Sequence, residues 1–286
     1  MILSGCRWSV GLFYLGEKMF SIRHTIYLIS LVCLLSACAE QQQTTSEPAP
    51  TQTINAPRNQ TAKQESYVVV SQSSYPPFAT RDETGKMVGL DMDILNAIAE
   101  KQGFTLKFIP HDMDGLLESL NEDGADIVAT GVNITPERQK KYDFSQPYLE
   151  ASWVALVNKD KVKAHQWSDL KNKKFVVQSS SLSETQLKNT AISADVLPLK
   201  TVYLGVAAVG KGDADAIYDV DSVLDTYLKP NTPFIKIVDE ESGRIPFGFV
   251  FKKGNLPLKT KIDQGLEKIK ADGTYQKILD KWYPKN

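Results

Sequence analysis

The chain has 286 residues, of which 33 are Lys or Arg and 34 are Asp or Glu, for a net charge of −1. Such a balance gives no electrostatic case for nucleic acid as a partner. With 42% hydrophobic residues over this length, the chain can bury the core of one large domain or of two lobes.

The N-terminus carries Arg23 and His24, then an apolar run from Thr25 to Leu35. Spanning a bilayer takes roughly 20 apolar residues, so this run reads as the core of an export signal over residues 1–37. Met19 gives a more ordinary signal than Met1, which leaves both as candidate starts. Small residues before a cysteine in Leu35-Ser36-Ala37-Cys38 resemble the lipobox of bacterial lipoproteins, which implies that Cys38 is lipidated and becomes the first mature residue. Cys6 and Cys33 both precede Cys38, so a mature chain starting there has no disulfide and depends on its core. Residues 38–65 hold that cysteine and a stretch rich in Gln, Thr, Pro and Ala with no apolar period, which predicts a disordered tether. No later segment is long and apolar enough to cross a membrane.

From Tyr67 onward, strand-like runs alternate with amphipathic helices, which predicts an α/β fold with mainly parallel sheet. Tyr67 to Ser71 reads as a strand and Asp91 to Gln102 as a helix, with Asp91 as its cap, Gly103 as its stop and Met92, Leu95, Ile98 and Ala99 on one face. Phe104 to Ile109 continues as strand, Met113 to Leu120 as helix and Asp126 to Ala129 as strand.

Gly131 then permits close backbone approach, and Thr135 with Pro136 forms an N-cap with proline in the first helical position. Amides at that helix start and Arg138 one turn later can together hold a small carboxylate. A second series runs through Trp153 to Val157, Lys174 to Gln178, a helix from Ser183, the strand Ala214 to Tyr218, a helix from Asp221 and the strand Phe234 to Val238. Phe247 to Phe251 reads as one strand, and Leu256 to Ala271 and Thr274 to Tyr283 as helices, the first with Leu258, Ile262, Leu266 and Ile269 as its core face.

Four segments together resemble the periplasmic or extracellular solute-binding proteins of family 3, which serve polar amino acid ABC transporters. They are Tyr75-Pro76-Pro77-Phe78; Gly89-Leu90-Asp91-Met92-Asp93-Ile94; Gly131 to Arg138 with Asp143 to Tyr148; and Asp272-Gly273-Thr274-Tyr275 with Lys281-Trp282-Tyr283. The resemblance implies a two-lobed periplasmic-binding-protein-like fold of type II with a ligand cleft between the lobes. Residues 66–150 with 246–286 would form the first lobe and 151–245 the second, with crossings near Tyr148 to Ser152 and Gly243 to Phe247.

It further implies that Arg138 binds an amino acid α-carboxylate with the main chain of Gly131 and Asn133, and that Tyr75 covers the ligand. Gln72, Met113, Gln178, Ser181 and Leu182 occupy wall positions. The family's ammonium-binding aspartate aligns with Val220, so either Asp219 or Asp221 substitutes. No carboxylate stands at the matched wall positions, which argues for a neutral or mildly polar amino acid; an acidic ligand would draw Arg81 or Arg244 to the cleft. The implied partners are an amino acid-like small molecule, a transporter permease and, through the lipid anchor, a membrane. The protein itself is expected to be a monomer on the periplasmic or extracellular face, with no cofactor and no nucleic acid.

Gly205 to Gly212 mimics a phosphate loop but has Gly212 where a magnesium-binding Ser or Thr is required. His111 and His165 are too isolated for a metal site, and Ser179 to Ser181 lack the pattern of a nucleophile elbow. Two alternatives share the architecture: a cyclohexadienyl dehydratase-like enzyme, with Glu184 as the nearest candidate acid, and a binding partner for a membrane sensor.

Overall fold

The computed structural model describes residues 64–122 and 124–284, so the export signal, Cys38 and the tether up to residue 63 lie outside the described residues. Strand β1 (Ser66–Ser71) begins the folded part, preceded by Glu65, which accepts the Thr105 amide and pairs with Lys261. Glu65 therefore belongs with the domain, not with the tether. Three short strands, β2 (Ser74–Tyr75), β3 (Ala79–Arg81) and β4 (Met87–Val88), form a small antiparallel sheet that alternation alone did not reveal. Helix α1 (Leu90–Gln102) buries Leu90, Met92, Ile94, Leu95, Ile98 and Ala99 and stops at Gly103, whose amide returns to the Ala99 carbonyl.

Asp91 does not cap α1. Gly89 holds the cap position, while Asp91 lies fully buried in the first turn and gives its carboxylate to the Gly131 amide and the Tyr148 hydroxyl. Strand β5 (Thr105–Pro110) follows as expected. The segment Met113 to Leu120 is not an α-helix: Gly115 takes a left-handed conformation at φ 73° and only Glu118–Leu120 closes as 3-10 turn.

After β6 (Ile127–Val128) come α2 (Pro136–Lys141) and β7 (Tyr142–Phe144), with Thr135 capping α2 by accepting the Arg138 amide. Strand β8 (Leu149–Asn158) leads into β9 (Phe175–Gln178), α3 (Leu182–Thr190), β10 (Val196–Leu199), α4 (Val202–Lys211), β11 (Ala216–Val220), α5 (Asp221–Leu224) and β12 (Phe234–Val238). Gly205 to Gly212 lies in α4 and its cap, with Gly205 packed against Ile217 and Val176, so no phosphate loop forms.

Phe247 to Phe251 is two strands rather than one: β13 (Arg244–Phe247) ends before Gly248, and β14 (Val250–Lys252) starts after Phe249. Ser145 makes the switch, its hydroxyl accepting the Phe249 amide while its own amide donates to the Phe249 carbonyl. Helices α6 (Leu256–Ala271) and α7 (Thr274–Trp282) close the chain. Both pack on α1, and Asp93 accepts from Lys281 and from the Trp282 indole.

One sheet has the order β5-β1-β6-β14-β7, and the other β10-β9-β11-β8-β12 with β13 alongside β8. Each sheet is mixed: β1 pairs in parallel with β5 and β6, and β9 with β10 and β11, whereas β14 and β8 run antiparallel to their neighbours. The expected parallel character thus holds among β5, β1 and β6 and among β10, β9 and β11. The N-terminal part of β8 pairs with β13 from Leu149↔Phe247 to Ser152↔Arg244, and its C-terminal part lies between β11 and β12. This two-strand ribbon joins two α/β lobes, giving the two-lobed type II architecture.

Candidate functional site

The chain puts a tightly constrained turn at Gly131. Gly131 has φ 63°, and a Cβ there would sit 2.6 Å from the Phe78 ring, so this turn admits glycine alone without rearrangement. From there, Val132 and Ile134 bond to Gly248 and Pro246 beside β13, which fixes Asn133 between them. Arg138, in the first turn of α2, reaches back so that its Nη1 donates to the Asn133 carbonyl at 3.0 Å.

The cavity against this turn is small, about 20 Å³. Its first-lobe wall is Gln72, Tyr75, Met113, Leu116, Leu117 and Thr130 to Asn133 with Arg138, and its second-lobe wall is Gln178 and Ser181 to Ser183. The structure therefore brings together Gln72, Tyr75, Met113, Gly131, Asn133, Arg138, Gln178, Ser181 and Leu182. Thr130, Leu116, Leu117 and Ser183 were not singled out in the sequence, although Thr130 directly precedes Gly131 in the same turn.

Arg138 is the only charged side chain among the described residues of this lining, and none of their carboxylates lies within ion-pair distance of it. Burial pushes its pKa down from the usual arginine value. Beside it, the Asn133 side-chain amide nitrogen and the Thr130 hydroxyl are buried with no partner among the described residues. The lining thus carries a cation and two residues with unsatisfied polar groups, a donor set that suits an anion.

Two hydrogen bonds cross the cleft at the cavity. Gln178 Nε2 donates to Gln72 Oε1 at 2.6 Å, and the Tyr75 hydroxyl donates to Asp219 Oδ1 at 2.9 Å. Elsewhere between the lobes Lys200 pairs with Asp112 at 3.0 Å, Ser180 donates to Asp114 and Tyr283 donates to the Ser222 carbonyl. Asp219 is 1% exposed and its Oδ2 has no partner among the described residues; it stands behind Tyr75 and does not itself line the cavity. Asp221 plays another part: its Oδ1 accepts the amides of Ser152 on β8 and of Ser222, binding the start of α5 to the ribbon.

Some expected donors are already engaged. The Gly131 amide faces Asp91, so it cannot serve a cavity ligand. The Ser181 hydroxyl donates to the Gln178 carbonyl and accepts the Glu184 amide as the cap of α3. Arg81 bonds to Gly85 and Arg244 to Glu150 and Ser152, both exposed and neither in the lining, so no second arginine reaches the cavity. Glu184 accepts the Ser180 amide and pairs with Lys188 at 2.7 Å, and that pairing holds its carboxyl below the usual range.

Residues 67–285 match the family of bacterial extracellular solute-binding proteins, family 3, and the chain belongs to that family. The ABC transporter arginine-binding protein 1 of Escherichia coli K12 is 29% identical over 216 residues, which is 74% of this chain and 88% of that protein. An ancestral arginine-binding protein solved bound to glutamine is 37% identical and superposes with a TM-score of 0.71 over 78% of this chain and 99% of its own. An ancestral amino acid-binding protein described as a precursor of cyclohexadienyl dehydratase is 32% identical, with a TM-score of 0.71 over 76% of this chain and 95% of its own.

Burial raises two carboxyl groups near the cavity, Asp91 to about 7 and Asp219 to about 6, against hydrogen bonds that favour their charged forms. Both values lie above the ordinary 3.8, so the folded protein holds these protons more tightly than the unfolded chain. The stability they contribute is fully present below 3.8 and is lost as pH rises through about 6 and about 7. The melting midpoint of the ligand-free protein should therefore decline as pH rises from about 4 to about 7 and level off toward pH 8. Asp91→Asn should remove the upper part of that decline and melt above wild type at pH 8, because its amide carries no buried charge. Thermal melts across this range check it, and an identical slope in the two proteins would contradict the assignment.

Proposed function

We propose that this solute-binding protein captures a small amino acid outside the cytoplasm by closing its lobes and delivers it to an ABC transporter permease. The observation that carries the reading is the partly buried Arg138 guanidinium, which faces the cavity without a carboxylate among the described residues. An α-carboxylate would accept a two-pronged contact from Arg138 and hydrogen bonds from Asn133 and Thr130. Asp219 Oδ2, on the other lobe, offers the complementary negative charge for an α-ammonium once Tyr75 shifts its contact. A zwitterion gripped at both ends binds the closed state better than the open one, and that difference drives closure.

The side-chain end of the cavity supports an uncharged ligand. Gln72, Met113, Leu116, Leu117, Gln178 and Leu182 supply amides and apolar surface but no carboxylate. A ligand guanidinium or ammonium there would be desolvated without a partner, at a cost of several kcal/mol. An ancestral arginine-binding protein solved with glutamine supports this architecture accepting a neutral amide side chain, although one is also solved with arginine. A dehydratase reading has weaker support, because Glu184 is held ionised by Lys188 outside the lining and has no proton to give a leaving group.

Calorimetry with the common L-amino acids tests this. Arg138→Ala should weaken the tightest binder by more than about 30-fold, or roughly 2 to 5 kcal/mol, with melting and secondary structure unchanged. Binding within threefold of wild type would sink the assignment, and selective binding of arginine or lysine with neutral amino acids inactive would sink the uncharged-ligand reading. The reading also includes attachment through a lipidated Cys38, supported by Leu35-Ser36-Ala37-Cys38, with an acylated N-terminus bearing several chains for stable anchoring. Mass spectrometry of membrane-extracted protein should find Cys38 acylated and N-terminal; an unmodified or absent Cys38 would contradict it.

A further inference from the structure

Capture as described leaves the buried Asp91 carboxyl, behind the Gly131 turn, without a task. Asp91 is 0% exposed, and no cation is within ion-pair distance of it among the described residues. Its oxygens serve two different places. Oδ2 accepts the amide of Gly131, part of the cavity wall, at 2.8 Å, and Oδ1 accepts the hydroxyl of Tyr148 at 2.6 Å. Tyr148 directly precedes β8, the strand that leaves the first sheet for the second, and its ring stacks on Phe249 at 4.7 Å where the chain returns.

The surroundings of Asp91 are tyrosines. Tyr148 contacts it from the β8 side, Tyr275 of α7 donates to the Tyr148 carbonyl, and Tyr283, just past α7, faces Asp91 while donating to the Ser222 carbonyl of α5. Burial and the Asp91 charge hold the hydroxyls of Tyr148 and Tyr283 well above the usual tyrosine range, so neither ionises near neutral pH. Asp93, two residues on, is engaged with Lys281 and Trp282. Asp91 is thus the single group of this cluster that can change charge there.

We propose that Asp91 is a positioning residue for ligand capture, holding the Gly131 turn against the hinge strand and taking up a proton when a carboxylate enters the cleft. The inference rests on the assignment of Arg138 as the carboxylate's anchor. An anion on the cavity side of the Gly131 turn and the Asp91 carboxylate behind it would be like charges separated by one turn of backbone, largely out of water. Protonating Asp91 relieves that repulsion, and capture then consumes protons from solution. Because burial already brings Asp91 to about 7, a further rise moves its titration across neutral pH. Affinity should then fall as pH increases between 6.5 and 8.5, a window above the titration of Asp219 at about 6.

The test is calorimetry on wild type, Asp91→Asn and Tyr148→Phe, with the L-amino acid giving the largest thermal shift at pH 7 among the twenty common ones as the probe. Runs at pH 6.5, 7.5 and 8.5 in two buffers of different ionisation enthalpy count the protons taken up. Wild type should weaken by about threefold or more across this range with net proton uptake. Asp91→Asn should be flat, with no uptake. Tyr148→Phe removes a donor to the charged form, so its profile should move to higher pH, which keeps the proposal testable if Asp91→Asn misfolds. A flat wild-type profile, the same slope in Asp91→Asn, or an unshifted Tyr148→Phe profile would overturn it. Arg138→Ala binding the probe as wild type does, or no amino acid binding at all, would instead overturn the reading of the cleft.

Discussion

A guanidinium drawn partly out of water and given no carboxylate is the constraint on which this molecule turns. Arg138 loses hydration in the cleft and recovers only a contact to the Asn133 carbonyl, so the closed form keeps a charge whose best partner must come from outside. The local structure exists to hold that charge in place. Thr135 and Pro136 fix where α2 begins, Gly131 lets the turn pack onto Phe78, and the bridge between Asn133 and Phe247 ties the turn to the ribbon joining the lobes. Asp91 anchors the turn from behind.

At the cavity the second lobe contributes two hydrogen bonds across the cleft, of a kind a ligand can replace, while the exposed Lys200–Asp112 ion pair also bridges the lobes. The Gln72 to Gln178 bond is neutral, and the Tyr75 to Asp219 bond leaves one carboxylate oxygen unsatisfied. A neutral hydrogen bond contributes about 1 kcal/mol net and one to a charged group roughly 2, so these two alone give closure only modest support. A ligand bonded to both walls adds interactions that the open form lacks, and the hinge needs no more than a shift between two available arrangements.

Much of this architecture was legible in the sequence, because long periodic segments carry their own signal. Leu258, Ile262, Leu266 and Ile269 specify the buried face of α6, and Thr135-Pro136 specifies the start of α2. The misses occur where a tertiary partner outcompetes a local one. Asp91 stands where a helix cap belongs, yet the Gly131 amide forty residues away takes its carboxylate, and Gly89 ends the preceding loop instead. Ser181 looked like a ligand donor, but a hydroxyl just before a helix is consumed by capping. The phosphate-loop mimic in α4 was rightly set aside, since Gly205 lets that helix sit close to Ile217. The pairing of Tyr75 with Asp219, 144 residues apart, leaves no periodic trace at all.

The central claim is that Arg138 recognises a carboxylate. Its most direct measurement is calorimetric comparison of the tightest-binding amino acid with the same molecule in which the α-carboxylate is replaced by a neutral carboxamide. Size, side chain and ammonium are unchanged, so the difference isolates the anion. The account predicts a loss of more than about 30-fold for the carboxamide, since a charge-assisted pair in a sheltered cleft is replaced by a weaker neutral contact. Equal affinity for the two would contradict it.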